Sequence, residues 1–181
     1  MVYEGAPEKH LKSIAQTLIA RLQENRRCVY LNSPAMISAM HRQMYAEGFN
    51  VSDHISRGAL IMSSERDHLV DGRFDLTLML KSLRETLRAA RKDGFDGLWA
   101  SGDMTWEFGS ENNLDKLEEY ERKLDNFVED HPAMSGVCLY HRATLPPHAL
   151  ATALATHRSV YVSEKRSWWN PWYLVPKVQF S

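Results

Sequence analysis

The chain has 181 residues and is 44% hydrophobic, which is enough for one substantial core and leaves little for a second domain. Its 22 basic and 23 acidic residues give a formal net charge of -1, so no overall cationic surface favours direct contact with nucleic acid. Only two cysteines occur, and no segment has the pattern of a signal peptide or a membrane span. We therefore expect a single domain over residues 1–181 in the cytoplasm, with neither a membrane nor a nucleic-acid partner.

Helices and strands are predicted to alternate through the chain. Apolar residues at helical spacing, together with capping residues and prolines, predict five main helices. These helices begin at about Pro7, Pro34, Leu76, Leu114 and Pro146. Short apolar runs between the helices predict strands. The predicted strands cover residues 28–31, 59–62, a run that ends at Gly102, 133–140 and 160–162.

This alternation predicts the fold class. Strands that alternate with helices of this length are typical of a three-layer α/β fold, in which helices cover both faces of a mostly parallel sheet. The sequence contains no Gly-x-x-x-x-Gly-Lys-Ser/Thr segment, and no glycine is followed by lysine. Because that Walker A segment supplies the lysine and backbone amides that hold nucleotide phosphates, a P-loop ATPase is excluded.

The segment 95–107 is the strongest local indication of a site. In it a short apolar run stops at a glycine, two acids and a tryptophan. Because ligands bind beyond the carboxyl ends of strands in open α/β sheets, we expect recognition beside Asp103 and Trp106. Asp103 and Glu107 are a weak candidate for a catalytic pair, since four residues of loop impose no fixed distance between two acids.

A second acid is predicted to point inward from the helix that starts at Leu114. At 100° per residue, Glu121 falls inside the apolar stripe of that helix, and Tyr120 flanks it. Burying an unpaired carboxylate costs several kcal/mol, roughly, so Glu121 should be protonated, hydrogen-bonded or matched to a cation. The alternative is an acid at the edge of the stripe that reaches solvent.

Other catalytic and metal-binding patterns are weak. The eight histidines include no pair at i,i+4 on one helix, and no cysteine pair accompanies them. Cys28 and Cys138 fall within predicted strands, where thiols are mostly inert, and no Gly-x-Ser-x-Gly segment is present. The sequence therefore predicts neither a metal nor a cofactor.

The chain ends in an aromatic segment at 167–176, with three tryptophans and a tyrosine within six residues. One interpretation is a lid over the sheet or the edge of the core. The other is a contact surface, because clustered exposed aromatic residues mark interfaces or ligand grooves.

Several segments in register resemble a known family, the MEDS domain, which is the methanogen/methylotroph DcmR sensory domain. The segments that carry the resemblance are Asp71-Gly72-Arg73-Phe74-Asp75, Gly102-Asp103-Met104-Thr105-Trp106, Tyr120-Glu121-Arg122-Lys123-Leu124, Asp130-His131-Pro132 and Leu139-Tyr140-His141-Arg142. The tail is similar as well, with His157 before a short strand and Asn170-Pro171-Trp172-Tyr173 before Pro176. The resemblance covers nearly the whole chain.

The resemblance implies a RecA/KaiC-like fold without a working nucleotide site, which senses small hydrocarbon derivatives and signals to a transcription or kinase module. The acid after the central glycine in the family corresponds to Asp103, and the tyrosine-glutamate on the next helix corresponds to Tyr120 and Glu121. Tyr3-Glu4 matches a tyrosine-glutamate that follows the first strand of the family, where an ATPase has its phosphate loop.

The chain departs from the family at two places. Asp103 stands where the family usually has glutamate, and His141 stands where it usually has aspartate, so we expect the pocket to differ from that of the family in reach and charge, and its ligand to differ too. Only Met1-Val2 precede Tyr3, although the first strand is central in a RecA-like sheet. The resemblance therefore implies either a truncated chain or a sheet that a partner completes.

These observations lead to three hypotheses. The first is a sensory domain without enzymatic activity, which binds a small organic ligand and relays a signal to a kinase or transcription regulator. Trp106 and Tyr140 would form apolar walls of its pocket, and Arg142 could pair with an inward acid. The residues expected to bind the ligand are Tyr3, Glu4, Asp103, Trp106, Tyr120, Glu121, Tyr140 and Arg142.

The second hypothesis is a small-molecule hydrolase or transferase with Asp103 or Glu121 as the general base. The third is a purely protein-binding module that docks through its aromatic tail. The sequence leaves the oligomeric state open and allows a homo-oligomer.

Overall fold

The computed structural model describes residues 1–105, 114–163 and 165–174. The strands and helices in chain order are β1 (Val2–Tyr3), α1 (Leu11–Gln23), β2 (Arg26–Leu31), α2 (Pro34–Ala46), α3 (Val51–Ser56), β3 (Leu60–Ser63), β4 (Leu69–Val70), β5 (Arg73–Phe74), α4 (Leu76–Lys92), β6 (Gly97–Asp103), α5 (Leu117–Asp130), β7 (Met134–His141), α6 (Pro147–Thr156), β8 (Ser159–Ser163) and β9 (Arg166–Trp169). Short 3-10 turns at Pro7–His10 and Leu114–Lys116 lead into α1 and α5.

Five strands form one sheet in the order β1-β7-β6-β2-β3, and every pair in it is parallel. Parallel neighbours require a crossover, and helices supply the connections in this chain. The result is a three-layer α/β arrangement of the Rossmann or RecA kind, so the predicted fold class is confirmed.

Side chains of the central strands alternate between two cores, one on each face of the sheet. In β2, Cys28 and Tyr30 join the core that α1 and α2 cover, whereas Val29 joins the core that α4, α5 and α6 cover. We call these the α1 face and the α5 face. Met40 and Met44 of α2 are fully buried on the α1 face.

Local signals explain most element boundaries. Asp71 and Gly72 join β4 to β5 with φ angles of 51° and 75°, the backbone that a two-residue type I′ turn requires. The Asp75 side chain caps α4 by accepting a hydrogen bond from the amide of Leu78 at 2.9 Å. β2 begins at Arg26, soon after α1 ends, and the buried guanidinium of Arg27 binds Asp93 at 2.6 Å.

β1 is much shorter than its neighbour β7. It pairs with β7 only at Tyr140 and His141, so within the described residues no strand is paired with this edge of β7 over 134–138. β1 thus lies at an edge of the described sheet and covers only one end of β7. β8, predicted as the last strand, pairs antiparallel with β9 and not with the parallel sheet.

Candidate functional site

A cavity of about 610 Å³ lies where β1 leaves the edge of β7 uncovered. The side chains and backbone around it come from Met1, α1, β2, α4, β6, α5, β7, the end of α6 and the residues that follow it, and the β8–β9 hairpin. Apolar side chains form much of its wall, among them Met79, Leu83, Trp99, Leu124 and Val128. Sites for small molecules usually have volumes of about 300–1,000 Å³ and a mainly apolar lining with a few polar groups. The cavity has the size and lining of such a site.

Glu121 is a buried acid in the cavity wall. Its side chain projects from α5 onto the α5 face of the sheet, and the residue is only 2% exposed, so the inward orientation predicted from the stripe is confirmed. The Tyr140 hydroxyl donates a hydrogen bond to Oε1 of Glu121, and His157 Nε2 lies 3.4 Å from Oε2. Both carboxylate oxygens therefore face a polar partner.

Burial dominates the electrostatics of this cluster. It raises the pKa of the Glu121 carboxyl, although His157 and the hydrogen bond from Tyr140 act in the opposite direction. Burial and the adjacent Glu121 also raise the pKa of Tyr140. The α-amino group of Met1 donates to the carbonyl of Cys138 nearby, and burial lowers its pKa. Each charged form in the cluster is thus costly unless a partner compensates it.

His157 has a defined orientation and tautomer. It follows the last turn of α6, and its Nδ1 lies 2.8 Å from the carbonyl oxygen of Ala153. A carbonyl can only accept, so Nδ1 carries the hydrogen and donates it. In the neutral ring the lone pair is then on Nε2, the atom that faces Glu121.

Cys138 completes the cluster. Residues two apart in a strand share a face, so Cys138 lies on the same side of β7 as Tyr140. Its sulfur lies within 4.8 Å of the donor atoms of Glu121 and His157. Its position in a strand predicts an inert thiol, and His157 is not among the residues expected from the sequence to bind a ligand. The alternation along β7 indicated the position of Cys138, but no sequence pattern indicated that of His157.

Asp103 lies elsewhere, on the α1 face at the end of β6. Its carboxylate accepts hydrogen bonds from the Tyr3 hydroxyl at 2.7 Å and from the amide of Thr105 at 2.9 Å. Burial and the adjacent Asp103 raise the pKa of Tyr3, which keeps its proton and remains a donor. The space beside this pair is only about 10 Å³, near the minimum for one water molecule. Asp103 and Tyr3 thus join β6 to β1 within the core.

The remaining expected ligand-binding residues separate into three groups. Tyr120 is buried, lines the cavity beside Glu121, and packs edge-on against Phe74 with ring centroids 5.1 Å apart. Arg142 binds Glu4 at 2.5 Å on the surface, where both side chains are 66% exposed, so Arg142 does not pair with an inward acid. Trp106 and Glu107 lie outside the described residues.

The eight expected residues therefore do not form one pocket. Among those that the structure describes, Tyr120, Glu121 and Tyr140 meet on the α5 face, whereas Tyr3 and Asp103 meet on the α1 face. Ser101 was not selected from the sequence. It is one of the residues around the cavity, and its hydroxyl is buried with no hydrogen-bond partner among the described residues.

The aromatic tail is attached to α6 by the buried Asn170 and by the Leu174 amide, which donates a hydrogen bond to the Ala155 carbonyl at 2.9 Å. Asn170 donates from Nδ2 to the carbonyls of Leu154 at 2.6 Å and His157 at 2.7 Å. The tryptophans around it point outward: Trp168, Trp169 and Trp172 are 60%, 71% and 62% exposed. The lid interpretation is wrong for these three rings, and the interpretation as a contact surface fits their exposure.

None of the helices in the described residues combines the length and apolar character needed to cross a membrane. A comparison with curated proteins found no match. A family model described as MEDS, the methanogen/methylotroph DcmR sensory domain, matches residues 1–158. Because this match covers most of the 181 residues, the chain belongs to the MEDS family of sensory domains.

Proposed function

We propose that this protein is a cytosolic sensory domain without enzymatic activity, which binds a small organic compound in the cavity beside β7. The observation that carries the proposal is a cavity of about 610 Å³ with a mainly apolar wall and the inward carboxyl of Glu121. Membership of a sensory family supports the same role. A hydrocarbon derivative with one polar group suits this chemistry, because its carbon atoms contact the apolar wall and its polar group reaches Glu121.

The binding step is tested by a pair of neighbouring substitutions on α5. Leu124→Trp fills part of the cavity, whereas Lys123→Trp puts the same ring on a side chain that is half exposed to solvent. Small alcohols, ketones and halogenated alkanes are titrated by calorimetry against the wild type and both variants. We expect Leu124→Trp to lower the affinity of any compound bound at least about tenfold and Lys123→Trp to leave it unchanged. Equal binding by all three proteins would put the ligand elsewhere.

The relay step of the proposal runs from His157 to the aromatic tail. His157 faces Glu121 through its ring and accepts a hydrogen bond from Asn170 through its carbonyl, so one residue contacts both the cavity and the tail. If the His157 ring has two positions, a ligand that binds more tightly to the protein with the ring in one of them increases the population of that state. The tail then adopts the arrangement that belongs to that ring position. The exposed tryptophans then present that arrangement to a signalling partner, a kinase or a transcription regulator.

Hydrogen exchange tests the relay without the partner. Ligand binding should change the exchange of amides in residues 157–174, and Asn170→Ala should remove that change while the calorimetric affinity stays within about twofold. If the ligand changes exchange only around α5 in the wild type, the tail is not part of the response.

A second candidate function is a hydrolase or transferase with Glu121 as general base. Burial raises the pKa of Glu121 toward the range that suits a general base at neutral pH, and the carboxyl lines a cavity of suitable size. An activity screen over small esters, amides and halides tests it. A turnover that disappears in Glu121→Gln with unchanged folding would favour this enzyme, and absence of any turnover favours the sensor.

A further inference from the structure

Three potential metal ligands meet in the wall of the cavity. They are the Glu121 carboxylate from α5, the Cys138 thiol from β7 and the His157 imidazole after α6, and their donor atoms all lie within 4.8 Å of one another. The three residues are far apart in sequence and come from separate elements. The motif spacings sought in the sequence therefore do not apply to this cluster.

We propose that Glu121, Cys138 and His157 form a binding site for a divalent transition metal of the zinc and cobalt class. The distance of 3.4 Å between His157 Nε2 and Glu121 Oε2 matches two ligands of a tetrahedral ion, which lie about 3.3–3.4 Å apart when metal–ligand bonds are about 2.0–2.1 Å. A thiolate and an imidazole favour this class over magnesium and calcium, which prefer oxygen ligands.

The hydrogen bonds around the cluster orient its donor atoms. Nδ1 of His157 donates to the Ala153 carbonyl, which turns the Nε2 lone pair toward Glu121. Tyr140 donates to the other carboxylate oxygen, Oε1, and leaves Oε2 toward His157. Metal-binding histidines and carboxylates are commonly held by such outer hydrogen bonds.

Charge balance favours a divalent cation at this position. A thiolate, a carboxylate and a neutral imidazole together carry two negative charges, which one divalent ion neutralises. Binding then compensates the cost of the buried Glu121 carboxylate and releases the thiol proton of Cys138. All three ligands line the cavity, and three protein ligands leave a tetrahedral ion one position for water or a molecule in the cavity.

Cobalt titration of the purified full chain provides the test, because thiolate coordination gives a charge-transfer band and tetrahedral geometry gives strong visible bands. We expect both in the wild type at one equivalent. Cys138→Ser should remove the charge-transfer band, and His157→Gln should weaken binding by more than about 100-fold. Tyr140→Phe, which changes only an outer hydrogen bond, should weaken it by about 10–100-fold.

The chain offers matched controls. Cys28→Ser removes the other thiol, which is buried on the α1 face, and should leave the spectrum unchanged. His131→Gln removes a histidine whose Nδ1 makes the same kind of bond, to the Phe127 carbonyl at 2.7 Å, and should also have no effect. Far-UV circular dichroism checks the folding of every variant.

Three results would overturn the proposal. They are the absence of a thiolate band in the wild type, its persistence in Cys138→Ser, and its equal loss in Cys28→Ser. If Cys138→Ser does not fold, alkylation of the wild type decides the question. One equivalent of zinc should slow iodoacetamide modification of Cys138 at least about tenfold, and an unchanged rate contradicts the site.

Discussion

The hydrogen bond between Tyr3 and Asp103 predicts a specific loss of stability in Tyr3→Phe. The substitution removes one donor from a buried carboxylate and leaves the ring in place. Hydrogen bonds to charged groups contribute about 1.5–3 kcal/mol. Because Asp103 still accepts from Thr105 at 2.9 Å, we expect the free energy of unfolding to fall by about 2 kcal/mol, near the middle of that range.

Urea denaturation followed by circular dichroism measures this loss, with two tyrosines as controls. Tyr161→Phe removes hydrogen bonds to the neutral hydroxyls of Thr17 and Ser13 at 2.6 and 2.9 Å, and should cost about 1 kcal/mol. Tyr45→Phe changes a residue that is 80% exposed and should cost almost nothing.

The ordering of these three variants tests the assignment of Tyr3 and Asp103 to the core. A loss below about 0.5 kcal/mol in Tyr3→Phe would refute the argument that the hydroxyl compensates a buried charge. In Tyr3→Phe, any compound bound in the cavity should keep its affinity, since this pair lies on the α1 face and Glu121 lies on the α5 face. A large loss of affinity in Tyr3→Phe would indicate that Tyr3 belongs to the ligand site.

Three shorter predictions follow from the other described contacts. Burial raises the pKa of the Cys28 thiol to about 12. In the native metal-free protein at pH 8, iodoacetamide should therefore modify Cys138 alone. Mass spectrometry that shows both thiols modified would contradict this. Gly136→Ala places a methyl carbon 2.3 Å from a carbonyl oxygen of β6 and should lower the free energy of unfolding by about 1–3 kcal/mol in urea denaturation. Arg142→Ala and Glu4→Ala break only an exposed ion pair, and a double-mutant cycle should give a coupling energy below about 1 kcal/mol.

Much of the fold could be predicted from local sequence. Helical spacing, caps and short apolar runs predicted the alternation of elements, because these signals depend on residues close together in the chain. Asp71-Gly72 is a sequence typical of a turn, since both residues tolerate a positive φ, and the structure has that turn. The inward position of Glu121 followed from the same kind of argument, because helical geometry alone places it within the apolar stripe.

The composition of the candidate site could not be predicted in this way. From the sequence, Asp103 and Glu121 were predicted to line one pocket, but in the structure they lie on opposite faces of the sheet. Strand alternation predicts which residues share a face, but which helix covers that face is decided by how the crossover connections pack.

The sequence by itself determined the succession of helices and strands, the absence of a Walker A segment and the place of one glutamate, Glu121, within the apolar stripe of its helix. Only the tertiary structure decided which groups surround that glutamate: Tyr140, Cys138 and His157 reach it from elements that are distant along the chain. The same holds for the tail, because its aromatic composition suits a lid as well as a contact surface. In the structure Asn170 binds α6 and the three tryptophans are exposed. Local sequence patterns indicate which side chains of a segment can be buried. A site depends on the distances between segments, and tertiary packing sets those distances.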